Sequence, residues 1–170
     1  MAQHRLAVKH GSSLAERVVE SALAFRPSDL YDVLTAAEFA GAQDTHGTFA
    51  QLVRVVPEVP AASPHYRVCL LDHEILSFLD RNPDIDLTSF ITFIMTHELL
   101  HIHRFITGRA DFEGDPVREE ATVDALTRVV LARYPVIGMK RVLSLLDRLK
   151  AAPLYNGHIL NETRCVNAYL

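Results

Sequence analysis

Residues 87–106 read LTSFITFIMTHELLHIHRFI and form the most apolar long stretch of the chain. The second half of this stretch carries ionisable side chains, which would be costly to bury in a lipid bilayer. We therefore interpret the stretch as a helix in a protein core and not as a membrane span. Asp86 is the predicted N-cap of this helix, and Gly108 is predicted to end it.

Within this helix, the motif His97-Glu-Leu-Leu-His101 places two imidazoles four residues apart. At about 100° per residue they project within about 40° of each other, so one metal ion can bind both. Glu98 lies about 60° from His101 on the same side, where a carboxylate can reach water on the metal. His103 lies about 160° away from His101, and we expect it on the opposite face.

A catalytic zinc ion requires a third protein ligand, and the next predicted helix offers carboxylates. Glu120 and Asp124 are four residues apart and share one face of that helix. One of them could bind the metal while the other accepts a hydrogen bond from a ligand imidazole. Glu119 is the alternative third ligand, although it points about 100° away from Glu120.

These residues resemble the gluzincin zinc metallopeptidases, which include the thermolysin-like proteases and the large aminopeptidases. Members of the group carry His-Glu-x-x-His and, about twenty residues later, a glutamate ligand on the following helix. Here 18 residues separate His101 from Glu120, which equals the aminopeptidase spacing. Glu120-Ala-Thr-Val-Asp124 also matches the Glu-Ala-x-x-Asp pattern of the thermolysin-like enzymes. The resemblance covers roughly residues 87–124 and is closest to minimal, single-domain gluzincins.

The resemblance implies one zinc ion per chain, with His97, His101 and Glu120 as its ligands and Asp124 orienting the first histidine. It implies a peptidase that acts on a peptide or protein substrate. In this activity Glu98 is the general base that takes a proton from metal-activated water. Mn, Fe or Co could occupy the same donor set.

Two further parts of such a site have only candidates in this chain. Gluzincins stabilise the oxyanion with a tyrosine or histidine, for which we consider Tyr155, His158 and Tyr134. An extended substrate is expected to pair with an edge strand, and the predicted strand 66–71 is the candidate. The alternative is that this strand is interior to a hairpin.

Hydrophobic periodicity and cap residues predict the remaining elements. Further helices are expected at 13–25, 28–40, 75–81 (capped by Asp72), 116–134 and 136–150. Strands are expected at 49–56 and 66–71, which gives a small antiparallel sheet. The predicted class is a mostly helical α+β, zincin-like fold with one domain over residues 1–170.

The composition of the chain limits the classes of partner and the cellular compartment that we expect. The 170 residues carry a net charge of −4 and no block of Lys or Arg, which argues against nucleic acid or an anionic membrane as the main partner. The apolar run Leu6-Ala-Val8 is too short for a signal-peptide core. Cys69 and Cys165 are the only cysteines and fit a reducing compartment. We therefore expect a cytoplasmic protein.

A second hypothesis assigns the same fold a different role. A zincin-like domain can bind metal without cleaving peptides and serve as a regulatory or partner-binding module. A latent form is also possible, because the tail at 153–170 lacks clear periodicity and could pack near the cleft, where Cys165 could approach the metal as a thiolate. The alternative for this tail is a last packed strand or turn.

Overall fold

The computed structural model describes residues 2–35, 38, 48–56, 64–151 and 166–169 of the chain. These residues form five helices and four strands, which confirms the α+β class. In chain order the elements are α1 (Ala2–Leu23), β1 (Tyr31–Thr35), β2 (Ala50–Val56), β3 (His65–Leu70), α2 (Asp72–Arg81), α3 (Leu87–Ile106), α4 (Pro116–Arg133), α5 (Met139–Ala151) and β4 (Val166–Tyr169).

The sheet has the strand order β1-β3-β2-β4. The predicted strands at 49–56 and 66–71 are confirmed as β2 and β3, and they pair in antiparallel register. The prediction of an antiparallel sheet is wrong for the outer pairs, because β1 is parallel to β3 and β4 is parallel to β2. The small sheet is therefore mixed, with β1 and β4 at the edges of its described part.

Strand β1 replaces the helix predicted at 28–40. The apolar spacing there suits a helix, but Tyr31 and Val33 also alternate as residues of a strand do. Parallel pairing with β3 decides between the two, and the N–H of Tyr66 donates to the carbonyl of Leu30 at 2.8 Å. Local periodicity carries no information about this non-local partner.

Helix α1 starts well before the predicted range of 13–25. Ser13, the predicted N-cap, lies exposed in the middle of the helix. The buried face of α1 comprises Gly11, Ala15, Val18 and Val19. Gly11 is part of this face because a Cβ there would lie 2.7 Å from Cγ2 of Ile91 on α3. The two helices therefore approach closely at a position just before the predicted start of α1.

Helix α3 is the centre of the core, as its composition predicts. All of its residues from Ser89 to His103 are buried, so the helix is covered on every side. Asp86 is confirmed as its N-cap and accepts a hydrogen bond from the N–H of Ser89 at 2.9 Å. The helix ends at Ile106, and Gly108 follows in the left-handed region with φ +67°.

The other helices confirm the predicted order with shifted ends. Asp115 caps α4, and its carboxylate accepts hydrogen bonds from the N–H groups of Val117 and Arg118. Asp72 is wrong as the cap of α2, because it lies inside the first turn and Leu71 occupies the cap position. Among the described residues, no helix is long and apolar enough to cross a membrane.

Candidate metal centre

Helices α3 and α4 bring three predicted donor side chains together. Nε2 of His97 lies 3.1 Å from Nε2 of His101 and 3.1 Å from Oε2 of Glu120. Nε2 of His101 lies 3.0 Å from Oε1 of the same carboxylate. The histidines occupy successive turns of α3, and Glu120 projects from the beginning of α4. This buried group could hold a metal ion.

The spacing and chemistry of these atoms fit a small divalent cation. Ligands bound to tetrahedral zinc at about 2.0–2.1 Å lie roughly 3.3 Å apart. The two imidazole nitrogens lie 3.1 Å apart, and each lies 3.0 to 3.1 Å from a different oxygen of Glu120. Two unprotonated imidazole nitrogens are both acceptors, so they repel at this distance unless a proton or a cation lies between them. The donor set therefore suits occupation by a metal.

The centre is enclosed by protein. His97 is 6% exposed, His101 is fully buried and Glu120 is 5% exposed. Glu98, the predicted general base, is 2% exposed, and its charge contributes to raising the pKa of His101. In such surroundings the attraction between a carboxylate and a cation is much stronger than in water.

Glu119, the alternative third ligand, lies behind His101. Its Oε1 is 3.4 Å from Nδ1 of His101, the ring nitrogen that does not face Glu120. Arg104 makes a bidentate contact with the Glu119 carboxylate, in which Nε donates to Oε1 at 2.8 Å and Nη2 donates to Oε2 at 2.8 Å. A carboxylate in this position orients a ligand imidazole and makes it more basic. The geometry thus favours Glu120 as the third ligand and gives Glu119 the bracing position.

The two carboxylates change the protonation of the centre. Burial opposes the charged form of His101, but its contacts with Glu119 and Glu120 outweigh that effect and raise its pKa to about 9. Burial likewise disfavours the ionised forms of Glu119 and Glu120. Contacts with His101 and Arg104 nevertheless lower the pKa of Glu119 to about 2, and contacts with His101 and His97 lower the pKa of Glu120 to about 2. Without a metal, the proton on His101 therefore supplies the positive charge that the site requires.

Thr127 occupies the corresponding position beside His97. Its Oγ1 lies 3.5 Å from Nδ1 of His97, and its hydroxyl donates to the carbonyl of Val123 at 2.8 Å. Asp124, the predicted brace, is buried on the same helix, with Oδ2 3.5 Å from Nε of Arg128. The role of Asp124 in orienting the first histidine stays a prediction.

Aromatic side chains connect the centre to the sheet. The Phe105 ring stacks on His101 with centroids 5.8 Å apart, and Phe112 packs edge-on against Phe105 at 5.1 Å. Phe112 belongs to the loop before α4 and lies 6.2 Å from the Tyr66 ring of β3. The guanidinium of Arg54 on β2 lies over the Phe112 ring, 4.6 Å from its centroid. The strands thereby pack against the loop that joins α3 and α4.

Other predicted features lie elsewhere. The hydroxyl of Tyr134, an oxyanion candidate, donates to the carbonyl of Ser21 at 2.8 Å. Tyr155 and His158 lie outside the described residues, as does Cys165. His103 is confirmed on a different face, where its ring packs edge-on against Phe25 at 5.0 Å.

The sheet bears on two further predictions, the substrate strand and the tail. Strand 66–71 is wrong as an edge, because β3 pairs with β1 on one side and with β2 on the other. Of the tail at 153–170, the described part is β4, which pairs with β2 as a last strand.

Two positions escaped the sequence analysis, Arg104 and Thr127. A signal for Thr127 exists, since it follows Glu120 by seven residues and so returns to nearly the same side of α4. Arg104 gives no such signal, because its partner is on another helix. Comparisons of the chain with protein-family models, curated proteins and solved structures find no match.

Proposed function

We propose that this protein is a zinc-dependent peptidase of the gluzincin type, with a zincin-like fold. The observation that carries the proposal is the buried cluster of His97, His101 and Glu120, in which each imidazole Nε2 lies 3.0 to 3.1 Å from an oxygen of Glu120. Glu98 follows the first of these residues on α3. Two imidazoles and one carboxylate are a donor set typical of catalytic zinc sites.

The donor types support zinc over harder cations. Imidazole nitrogen suits zinc and other late transition metals, whereas magnesium and calcium prefer sites made of oxygen alone. When bound, zinc supplies a Lewis acid that lowers the pKa of water and polarises a carbonyl group. A set of three protein ligands leaves a position for substrate or solvent in tetrahedral geometry.

Glu98 is the proposed general base. It lies three residues before His101 in α3, which puts it about 60° around the helix axis from that candidate ligand. In the reaction Glu98 takes a proton from the attacking water and later gives it to the leaving amine. Because the carboxylate is 2% exposed, few solvent molecules compete for this proton.

The proposed substrate is a peptide or an unfolded protein segment. An extended chain can bind by pairing with a free strand edge, and the edges of the described sheet are β1 and β4. The oxyanion donor predicted among Tyr155 and His158 stays a prediction. We propose action in the cytoplasm, in agreement with the low cysteine content, which fits a reducing compartment.

Burial favours a second candidate function, a metal-binding module without peptidase activity. Glu98, His101 and Glu120 are each at most 5% exposed, and a substrate carbonyl must come within bonding distance of the metal. If a site this enclosed never opens, the protein serves regulation or partner binding. If the site opens, the protein is a latent peptidase.

The test of the proposed function compares wild-type protein with Glu98→Gln. We expect about one zinc per chain in both proteins, measured by plasma mass spectrometry, because Glu98 is not a ligand. Hydrolysis of a fluorogenic peptide library should fall by at least about a hundredfold in Glu98→Gln, since proton transfer is lost. Glu113→Gln is the matched control, because the Glu113 side chain is 69% exposed and pairs with Arg54 at 3.2 Å.

The outcomes separate the two candidates. One zinc per chain with no hydrolysis of any library peptide by either protein favours the metal-binding module. Absence of zinc from wild-type protein purified without chelator contradicts both.

A further inference from the structure

We infer that Thr127 positions His97 for metal binding by accepting a hydrogen bond from Nδ1 of that imidazole. The inference rests on the proposed function, because it concerns a ligand of the proposed zinc site. The gluzincin pattern implies an aspartate, here Asp124, beside this imidazole, and our inference adds a neutral hydroxyl as a positioning group for the same ring.

The direction of the hydrogen bond follows from the second contact of Thr127. Its hydroxyl hydrogen points to the carbonyl of Val123, at an Oγ1 to O distance of 2.8 Å. The same Oγ1 lies 3.5 Å from Nδ1 of His97 and has lone pairs left to accept. When Nε2 of a neutral imidazole binds the metal, the ring proton is on Nδ1, so Nδ1 donates to Oγ1. With its proton on Nδ1, the ring presents the lone pair of Nε2 to His101 and Glu120.

Helix geometry explains why Thr127 reaches the ring. Seven residues advance α4 by about 700°, so Thr127 lies within about 20° of Glu120 on the side that packs on α3. Asp124 is tied in another direction, because its Oδ2 lies 3.5 Å from Nε of Arg128, which also pairs with Asp147 of α5.

Burial makes the hydroxyl necessary. Thr127 and His97 are 0% and 6% exposed, so water has little access to Nδ1. A valine would fill the same space, but it would leave the buried N–H of His97 without this acceptor. The two ligand imidazoles are thus braced by unlike groups, His97 by a neutral hydroxyl and His101 by the Glu119 carboxylate.

The experiment measures zinc affinity by competition with a chromophoric chelator in wild type, Thr127→Val and Thr127→Ser. We expect zinc to bind Thr127→Val about 10- to 100-fold more weakly, the usual effect of removing a group that orients a metal ligand. Thr127→Ser keeps the hydroxyl and should bind within about threefold of wild type. Metal-free Thr127→Val should still fold, with a melting temperature lowered by several degrees because the buried N–H of His97 loses its acceptor.

Three results would overturn the inference. The first is zinc binding by Thr127→Val as tight as that of wild type. The second is zinc binding by Thr127→Ser as weak as that of Thr127→Val, which would assign the effect to packing. For the wild-type protein, long-range proton–nitrogen correlation of the zinc-loaded form should find the His97 proton on Nδ1, and a proton on Nε2 contradicts the assignment. If wild type binds no zinc, the proposed function itself fails.

Discussion

The ring of His101 lies between two carboxylates, with Nδ1 3.4 Å from Glu119 and Nε2 3.0 Å from Glu120. These contacts raise the pKa of His101 to about 9, so the metal-free protein carries an imidazolium at neutral pH. A zinc ion needs the neutral ring as its ligand. At the scale of this residue, metal and proton therefore compete for one nitrogen.

The competition predicts proton release. Zinc binding at pH 7 should release about one proton per chain, and the apparent affinity should increase about tenfold per pH unit until the pH approaches 9. Calorimetric titration in two buffers with different ionisation enthalpies measures the number of protons. Glu113→Gln should release the same number, and release of no proton by the wild type would show that His101 is already neutral.

The raised pKa of His101 also makes the stability of the metal-free protein depend on pH. The folded state holds a proton on His101 up to about pH 9, whereas the unfolded state loses it near the ordinary pKa of 6.5. The free energy of unfolding contributed by this group is fully present below 6.5 and is lost as the pH rises to about 9.

The ligands were predictable from sequence for a local reason, and their braces were not. His97 and His101 share a face of one helix whatever surrounds it, and Glu120 follows at a spacing that the gluzincin pattern specifies. The contacts of Glu119 and Thr127 depend on how α4 rotates against α3, which only the packed structure determines.

At the scale of the elements, the close contact of α1 with α3 supports the helix that carries both histidines. A Cβ at Gly11 would lie 2.7 Å from Cγ2 and 2.9 Å from Cβ of Ile91, and 3.0 Å from the carbonyl oxygen of Thr88. Backbone and branched carbon atoms cannot move aside as the end of a flexible side chain can. The helices would have to separate to accept any side chain larger than hydrogen.

Gly11→Ala should therefore destabilise the protein. Alanine favours a helix by about 1 kcal/mol over glycine, but the overlap with α3 costs typically 1–3 kcal/mol, and we expect a net loss of about 1 kcal/mol. Urea unfolding followed by circular dichroism measures the change. Ser13→Ala, at an exposed position of the same helix, is the matched control and should leave stability within about 0.5 kcal/mol. Stabilisation by Gly11→Ala would contradict the close packing.

The errors in predicting elements have the same origin. The helix predicted at 13–25 begins too late because periodicity does not record the contact of Gly11 with α3. Strand β1 resembled a helix because the sequence of 28–40 satisfies both periods, and its pairing with β3 comes from residues more than thirty positions later. Elements whose signal is local, such as α3 with Asp86 as its cap and α4 with its N-terminal Pro116, were predicted within a few residues.

At the scale of the whole molecule, the proposed metal joins two helices that are otherwise linked by a loop. His97 and His101 belong to α3 and Glu120 belongs to α4, and the unfolded chain does not hold these donors together. A metal that binds the folded state alone stabilises it by about 2.7 kcal/mol at a concentration 100 times its dissociation constant. For a chain of this size, that corresponds to an increase in melting temperature of roughly 5–10 °C.

Thermal unfolding with and without zinc, in wild type and in Glu120→Gln, tests the metal centre most directly. We predict that zinc at 100 times its dissociation constant raises the melting temperature of the wild type by roughly 5–10 °C and that a chelator reverses the increase. Glu120→Gln should show little or none of it at the same zinc concentration, whereas His73→Ala, a change at a histidine side chain that is 53% exposed, should respond as the wild type does. A wild-type melting temperature that does not respond to zinc, or an equal response in Glu120→Gln, would contradict a metal held by His97, His101 and Glu120.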